Sequence, residues 1–322
     1  MENNANHLKL LKSRWDSFRA ENKRVRIRDA ARELQTTEAE LLSTEIDDNT
    51  YYLSIDNFQK FIEQVLSVDK LMFLIRSDIA VHEVTVDSCN MQLKNNCILD
   101  SDNSIILDFD RNLFKHVFYQ IKNHANKNLR SFQIFDSNGN ASLKIYLKGK
   151  DESKFDNIGL KYKINYNYEI PPVTHLNHKI ANYHSDKKVN FYFTDYIERD
   201  SRNQKKIKKE SLRMILNSAS DNKTPIQIHG IGPGSVQYYK GRIKNIVDYG
   251  PWINVIDRTF NLHLLEDKLG VSFLTKYSSK SSMHYYCVDF FDDEKNHILG
   301  ISSIENFEDS FFDIVNKLEV IE

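Results

Sequence analysis

Three histidines, His175, His178 and His184, lie within ten residues of one another. Imidazole coordinates transition metals and is the side chain that carries a proton near neutral pH. If Thr174 caps a helix, then Leu176, Ile180 and Tyr183 form its apolar stripe and His184 joins them, while His178 projects to the other face, toward a ligand or water. His175-x-x-His178 is half of a metal-ligand pattern, but no cysteine or carboxylate partner stands at ligand spacing. His263 alternates with Leu262 and Leu264 and reads as a packed, hydrogen-bonded histidine. Hydrolase chemistry lacks its residues, because G-x-S-x-G, a P-loop and H-E-x-x-H are all absent. Gly230-x-Gly232-Pro233-Gly234 contains proline and leads into a strand, so it is not a phosphate loop.

The elements that must position these residues follow from periodicity. Leu8, Leu11, Trp15 and Phe18 mark one face of a helix, and a second runs through Ile27, Ala30, Ala31 and Leu34. Thr37-x-x-Glu40 is a capping box ahead of Leu41 and Leu42, and residues 58–65 predict a further helix. From Met72 the period shortens to strands over 72–76, 81–86, 97–99, 105–109, 114–121, 131–135 and 142–147. Asp136-Ser137-Asn138-Gly139-Asn140 is a hairpin turn between the last two. Residues 148–170 are polar and tyrosine-rich and end at Pro171-Pro172, a linker signature. A helical region then extends to about Ser218, through the basic stretch Lys205-Lys206-Ile207-Lys208-Lys209, and strands follow over 225–302.

Composition bounds the function. The chain has 322 residues, 40% of them hydrophobic, with 19 Phe and 16 Tyr, enough aromatic surface for cores or for a flat apolar ligand. With 44 basic against 45 acidic residues there is no footprint for bulk nucleic-acid binding. A helix-turn-helix pattern over 27–43 fails on its second helix, where Glu38, Glu40 and Glu45 would repel phosphates. No apolar run is long enough to span a membrane, and residues 1–11 hold no signal-peptide core. Cys89, Cys97 and Cys287 form no C-x-x-C or C-x-x-C-H, which fits a reducing compartment and excludes covalent haem attachment. The expectation is a cytoplasmic protein with no membrane span.

The helix-then-strand order occurs twice. Ala80-Val81-His82 matches Ser235-Val236-Gln237, Leu107 matches Leu262, and Phe118 matches Phe273, all at an offset of 155. Phe132-Gln133-Ile134-Phe135-Asp136 matches Val288-Asp289-Phe290-Phe291-Asp292 at 156, as do Asn140, Leu143 and Ile145 with Asn296, Leu299 and Ile301. A nearly constant offset close to half the chain length argues for duplication. The expected fold class is α+β, a tandem duplication of a unit with an antiparallel sheet flanked by helices. Its expected divisions are a first repeat over 1–150, a linker over 151–172 and a second repeat over 173–322.

Longer strings add a resemblance. Gly234-Ser235-Val236-Gln237, Gly241-Arg242-Ile243, Gly250-Pro251-Trp252-Ile253-Asn254-Val255 and residues 260–267 resemble the carboxy-terminal repeat of the haemin-degrading factor family, the HemS/ChuS-type haem-utilisation proteins. Residues 28–34, 37–42, 132–136 and 144–147 resemble its first repeat. The resemblance implies haem held between sheet and helix, taken up inside the cell and either cleaved to release iron or carried and stored. Haem is then ligand or substrate, and an uptake system or an electron donor is the implied partner.

The resemblance also implies site residues. The family's proximal histidine stands on a helix at the start of the second repeat, which points to His178, with His175 and His184 as alternatives. The family's distal arginine aligns with Asp108, and Arg111 is the nearest guanidinium. Basic residues on a later strand align with Lys276 and Tyr277, a propionate contact and a pocket wall, and Phe109 is a second wall candidate. Ile301 and Ser302 replace polar and basic family residues. These departures weigh against rapid oxidative cleavage more than against haem binding. They leave haem carriage with slow degradation as the expectation and a haem-degrading enzyme as the alternative.

Overall fold

The apolar spacing of Leu11, Trp15 and Phe18 folds as helix α1 (Glu2–Glu21), with Leu11 and Trp15 buried. The structure is a computed structural model and describes residues 2–23, 25–124, 127–164, 204–278 and 284–321. The expected helix from Thr174, with His175, His178 and His184, lies outside the described residues. After α1 come α2 (Ile27–Glu33), α3 (Glu38–Ser43), β1 (Thr50–Leu53), α4 (Phe58–Val65), β2 (Lys70–Arg76), β3 (Ala80–Asp87), β4 (Gln92–Lys94) and β5 (Cys97–Leu99). Then follow β6 (Ile105–Phe109), β7 (Phe114–His124), β8 (Lys127–Asp136), β9 (Ala141–Leu147) and α5 (Glu152–Tyr162). The later part holds β10 (Gln204–Ile207), α6 (Ser211–Asp221), β11 (Ile226–Gly232), β12 (Ser235–Gly241), β13 (Ile246–Tyr249), β14 (Trp252–Ile256) and β15 (Phe260–Leu265). It ends with β16 (Leu269–Ser278), β17 (His284–Asp292), β18 (His297–Ser302) and α7 (Glu308–Val315).

Contacts divide the chain into two units: Met1–Phe73, Val86–Asn96 and Asp110–Lys179 form one, and Leu74–Thr85, Cys97–Phe109 and Ile180–Glu322 the other. In the first, the strand order is β1-β7-β8-β9-β2. One face packs on α4 and α5, where Phe132 meets Phe61 at 5.0 Å and Phe155 at 4.5 Å between ring centres. The other face is covered by α3, whose Ala39 and Leu42 pack on Phe118, Phe135 and Ala141. Burying a leucine such as Leu42 contributes about 1.5–3 kcal/mol. Thr37 caps α3 by accepting from the Glu40 amide at 3.2 Å, but the Glu40 carboxylate turns to His7 and Thr36 rather than closing the box. Every residue of α3 is buried, so it cannot serve as a recognition helix.

In the second unit, β10-β16-β17-β18-β11-β12-β6-β5 form one ladder and β3-β15-β14-β13 another. Helices α6 and α7 supply Leu212, Ile215, Leu216, Phe311 and Ile314 to its core, and Phe312 packs on Tyr286 of β17 at 5.0 Å. The order β10-β16-β17-β18-β11 repeats β1-β7-β8-β9-β2 element for element, as duplication requires. The exchange between copies was not expected. Strand β6 of the first copy pairs with β12 of the second, and β15 of the second pairs with β3 of the first. His82 and Gln237, which occupy the same place in the two copies, therefore meet, Nδ1 to Oε1 at 3.0 Å.

Two sequence expectations change. Residues 152–162 of the expected linker are α5, because Phe155 and Ile158 have helical spacing and are buried. The basic stretch after residue 204 begins as strand β10 rather than helix, since Gln204–Ile207 pairs along β16. Pro233 and Gly234 form the tight β11–β12 turn, with Gly234 at φ 71°, which accounts for the glycines without a phosphate.

Candidate functional site

Directly paired residues of an antiparallel ladder project to the same face, and alternate residues share it. In the larger ladder of the second unit, Asp108 pairs with Val236, Val236 with Ile231, and His229, two residues away, with Gly300 and Tyr238. Gly300 pairs with Asp289, and Cys287, two residues before Asp289, pairs with Thr275 and Ser302. Tyr277 and Tyr285 pair one step further along that face. Asp108, Tyr238, His229, Asp289, Cys287, Thr275 and Tyr277 therefore share one side of the sheet. Helix α7 packs on Tyr286 and so lies on the opposite side. Lys206, paired with Phe273, and Lys240, paired with Gln227, place two amines on the shared face by the same register.

The face is polar at its centre although it is buried: His229 is 0% exposed and Asp289 5%. The arrangement depends on two backbone devices. Gly300 stands between His229 and Asp289, and a Cβ there would lie 2.1 Å from His229 Cε1, so only glycine lets the ring cross β18. Between Phe290 and Phe291 the register advances one residue on β17 but two on β18, from Leu299 to His297. This bulge turns His297 to the side of Phe291, on whose ring it stacks at 4.7 Å. His297 Nε2 then stands 3.1 Å from Asp289 Oδ1 and His229 Nε2 3.9 Å from the same oxygen. The Cys287 thiol donates to Asp289 Oδ1 at 3.5 Å.

The residues singled out by sequence divide between the two sides. Asp108, half-buried on β6, and Tyr277, 5% exposed on β16, lie on the shared face. Phe109 and Lys276 are their immediate neighbours and point to the opposite side, Phe109 into the core and Lys276 partly exposed. The structure thus brings Asp108 and Tyr277 to one face and places Phe109 and Lys276 on the other. Arg111 is exposed on a short 3-10 turn, Arg111–Leu113, which Asp110 caps. His263 Nδ1 donates to Asn254 Oδ1 at 2.6 Å, as a packed histidine should. His229, Asp289 and His297 were missed. Their signal was polar residues at buried alternation positions of Gln227-x-His229 and Tyr285-x-Cys287-x-Asp289. His297 gave no such signal, because its direction comes from the bulge.

Comparison with known proteins agrees with this architecture. Residues 35–160 and 197–314 match a family model described as the haemin-degrading HemS.ChuX domain. The hemin transport protein HemS of Yersinia enterocolitica is 34% identical over 70 residues, 22% of this chain and 20% of that protein. The hemin transport protein HmuS of Yersinia pestis is 33% identical over 70 residues, with the same coverage. The match thus spans about a fifth of the length of these curated relatives. Among solved structures, the Escherichia coli O157:H7 heme degrading enzyme ChuS superposes with a TM-score of 0.81 at 19% identity, covering 97% of this chain and 99% of that one. Holo-PhuS, a heme-binding protein from Pseudomonas aeruginosa, gives 0.81 at 18% identity over 98% and 99%. At these identities the likeness establishes the fold.

Proposed function

This chain belongs to the haemin-degrading HemS.ChuX domain family, and from that premise we propose that it binds haem and serves its transport or storage in iron acquisition, with slow degradation beside it. The observation that carries the reading is the family match over both repeats, joined to a sheet face of the second unit that is polar and aromatic together. In the first unit α3 fills the equivalent face with Ala39 and Leu42. In the second, the face carries Tyr238, Tyr277, Tyr285 and Phe273, suited to the flat apolar porphyrin. Lys206 and Lys240 suit its two carboxylates.

Haem is cargo here, and its iron takes an imidazole as axial donor. We assign that donor to His178, with His175 and His184 as the alternatives. Asp108, when ionised, accepts hydrogen bonds and cannot donate them, so it would not steer oxygen chemistry as an arginine would. That difference supports carriage over rapid cleavage. No helix among the described residues is long and apolar enough to cross a membrane. The proposed setting is the cytoplasm, with haem delivered by an uptake system and, if cleavage occurs, an electron donor.

Titration of the purified chain with haemin tests the reading. A saturable Soret shift at one equivalent is expected, followed by slow Soret loss under ascorbate. A spectrum equal to the sum of free haem and protein would refute binding. Fast Soret loss with release of chelatable iron would replace the carrier by the enzyme.

A further inference from the structure

The His229, Asp289 and His297 cluster has a chemistry that porphyrin binding does not require. We propose that these three side chains bind one divalent first-row transition-metal ion, of the Zn2+ or Fe2+ class, independently of haem.

Two imidazoles and one carboxylate are the donor set of open divalent sites. Their ligand atoms all lie within 4.8 Å of one another. Bonds of about 2.0–2.1 Å from a tetrahedral ion put neighbouring donors about 3.4 Å apart. The contacts to Asp289 Oδ1, 3.1 Å from His297 and 3.9 Å from His229, bracket that spacing. Both distances lie within ion-pair range of the one carboxylate oxygen. His229 is brought across β18, over a position where a single methyl would collide with it. The bulge before His297 turns a third donor to the same point.

The surroundings select the ion. His229 and Asp289 are buried and His297 is partly exposed, so an ion bound there is reached by water from one side only. Nitrogen outnumbers oxygen, which disfavours Mg2+ and Ca2+. The Cys287 thiol donates to Asp289 Oδ1 at 3.5 Å and so orients the carboxylate.

The test uses the full chain, freed of haem and treated with chelator, titrated with Co2+ and then dialysed against Zn2+ with the metal quantified. One Co2+ per chain with visible ligand-field bands is expected, displaced by one Zn2+. Asp289→Asn and His297→Gln should each weaken binding by more than the ~10–100-fold typical of a lost outer-shell partner. Far-ultraviolet circular dichroism checks that each variant is folded. His297 lies at a partly exposed strand end, so His297→Gln gives a reading even if Asp289→Asn does not fold. A triple variant, His175→Gln with His178→Gln and His184→Gln, should keep the metal. Less than one equivalent in the unmodified chain overturns the proposal, as does an equivalent that survives His297→Gln or departs with the triple variant. No haem is present, so this outcome is separate from that of the haemin titration.

Discussion

His82 should make the protein acid-labile in a narrow pH window. Burial lowers its pKa from 6.5 to about 4, against hydrogen bonds from the ring to Gln237 Oε1 and the Ile228 backbone that work in the opposite direction. A group whose protonated form is disfavoured in the folded state binds more protons when unfolded, so stability is full above the unfolded pKa and falls as pH drops toward the folded one. The difference of about 2.5 pKa steps is worth about 3 kcal/mol in total, of which about 2 kcal/mol is lost between pH 7 and 5. Other groups titrate nearby: burial also lowers the pKa of His116, while Asp136 is raised by burial and acts in the opposite sense. His82→Gln isolates the effect, because glutamine can still bond Gln237 and does not titrate. Urea midpoints at pH 7, 6 and 5, followed by circular dichroism, should show the variant gaining on the unmodified chain by about 2 kcal/mol over that range. A constant difference between the two proteins would refute the reasoning.

Gly300→Ala should destabilise the chain by about 1–3 kcal/mol, because the His229 ring must move to admit the methyl, and an unchanged unfolding midpoint would contradict this. His178→Ala should alter the ligand-sensitive haem spectrum and weaken haemin binding more than His175→Ala or His184→Ala. An unchanged spectrum would shift the axial role to another histidine. Asp108→Arg should quicken Soret loss under ascorbate, with catalase present to remove free peroxide. A rate indifferent to residue 108 would take that position out of the account.

The nearly constant offset, 155 between Val81 and Val236 and 156 between Phe135 and Phe291, made the duplication legible because a repeat conserves strand phase. The exchange of β6 and β15 was not legible. Pairing partners distant in sequence leave no periodic trace, and the match of Leu107 to Leu262 reads the same whether each strand returns to its own copy or crosses over. Alternation would have separated Asp108 from Phe109 and Lys276 from Tyr277, since neighbours on a strand face opposite ways. Asp108, Lys276 and Tyr277 were named by their alignment with the family's residues, which does not carry the direction of each side chain. Helix α5 was missed because its apolar residues, Phe155 and Ile158, stand among charges, so the short segment resembles a polar linker.

The cluster at Asp289 shows where the two copies diverged. In the first copy, β8 and β9 carry the same register shift, with Phe135 opposite Ala141, so the bulge that aims His297 belongs to the common design. What differs is the side chains placed on it. Gln133 occupies the place of Asp289, Ala141 that of His297 and Lys144 that of Gly300. Lys144 reaches Glu38 of the covering α3, at 3.6 Å, and Glu38 also meets Arg28. A buried charge network of this kind is costly to break, because removing one member leaves the others desolvated. The second copy has glycine instead of that lysine, and the space it leaves is filled by the ring of His229. Within the matched stretch the shared residues Leu143 and Leu299, Ile145 and Ile301 maintain the core, and the mismatches between them carry the histidine, the carboxylate and the gap. In a duplicated chain the residues that break the repeat therefore point to chemistry more directly than those that keep it. Here they point to the second copy, while the first became a face closed by its own helix.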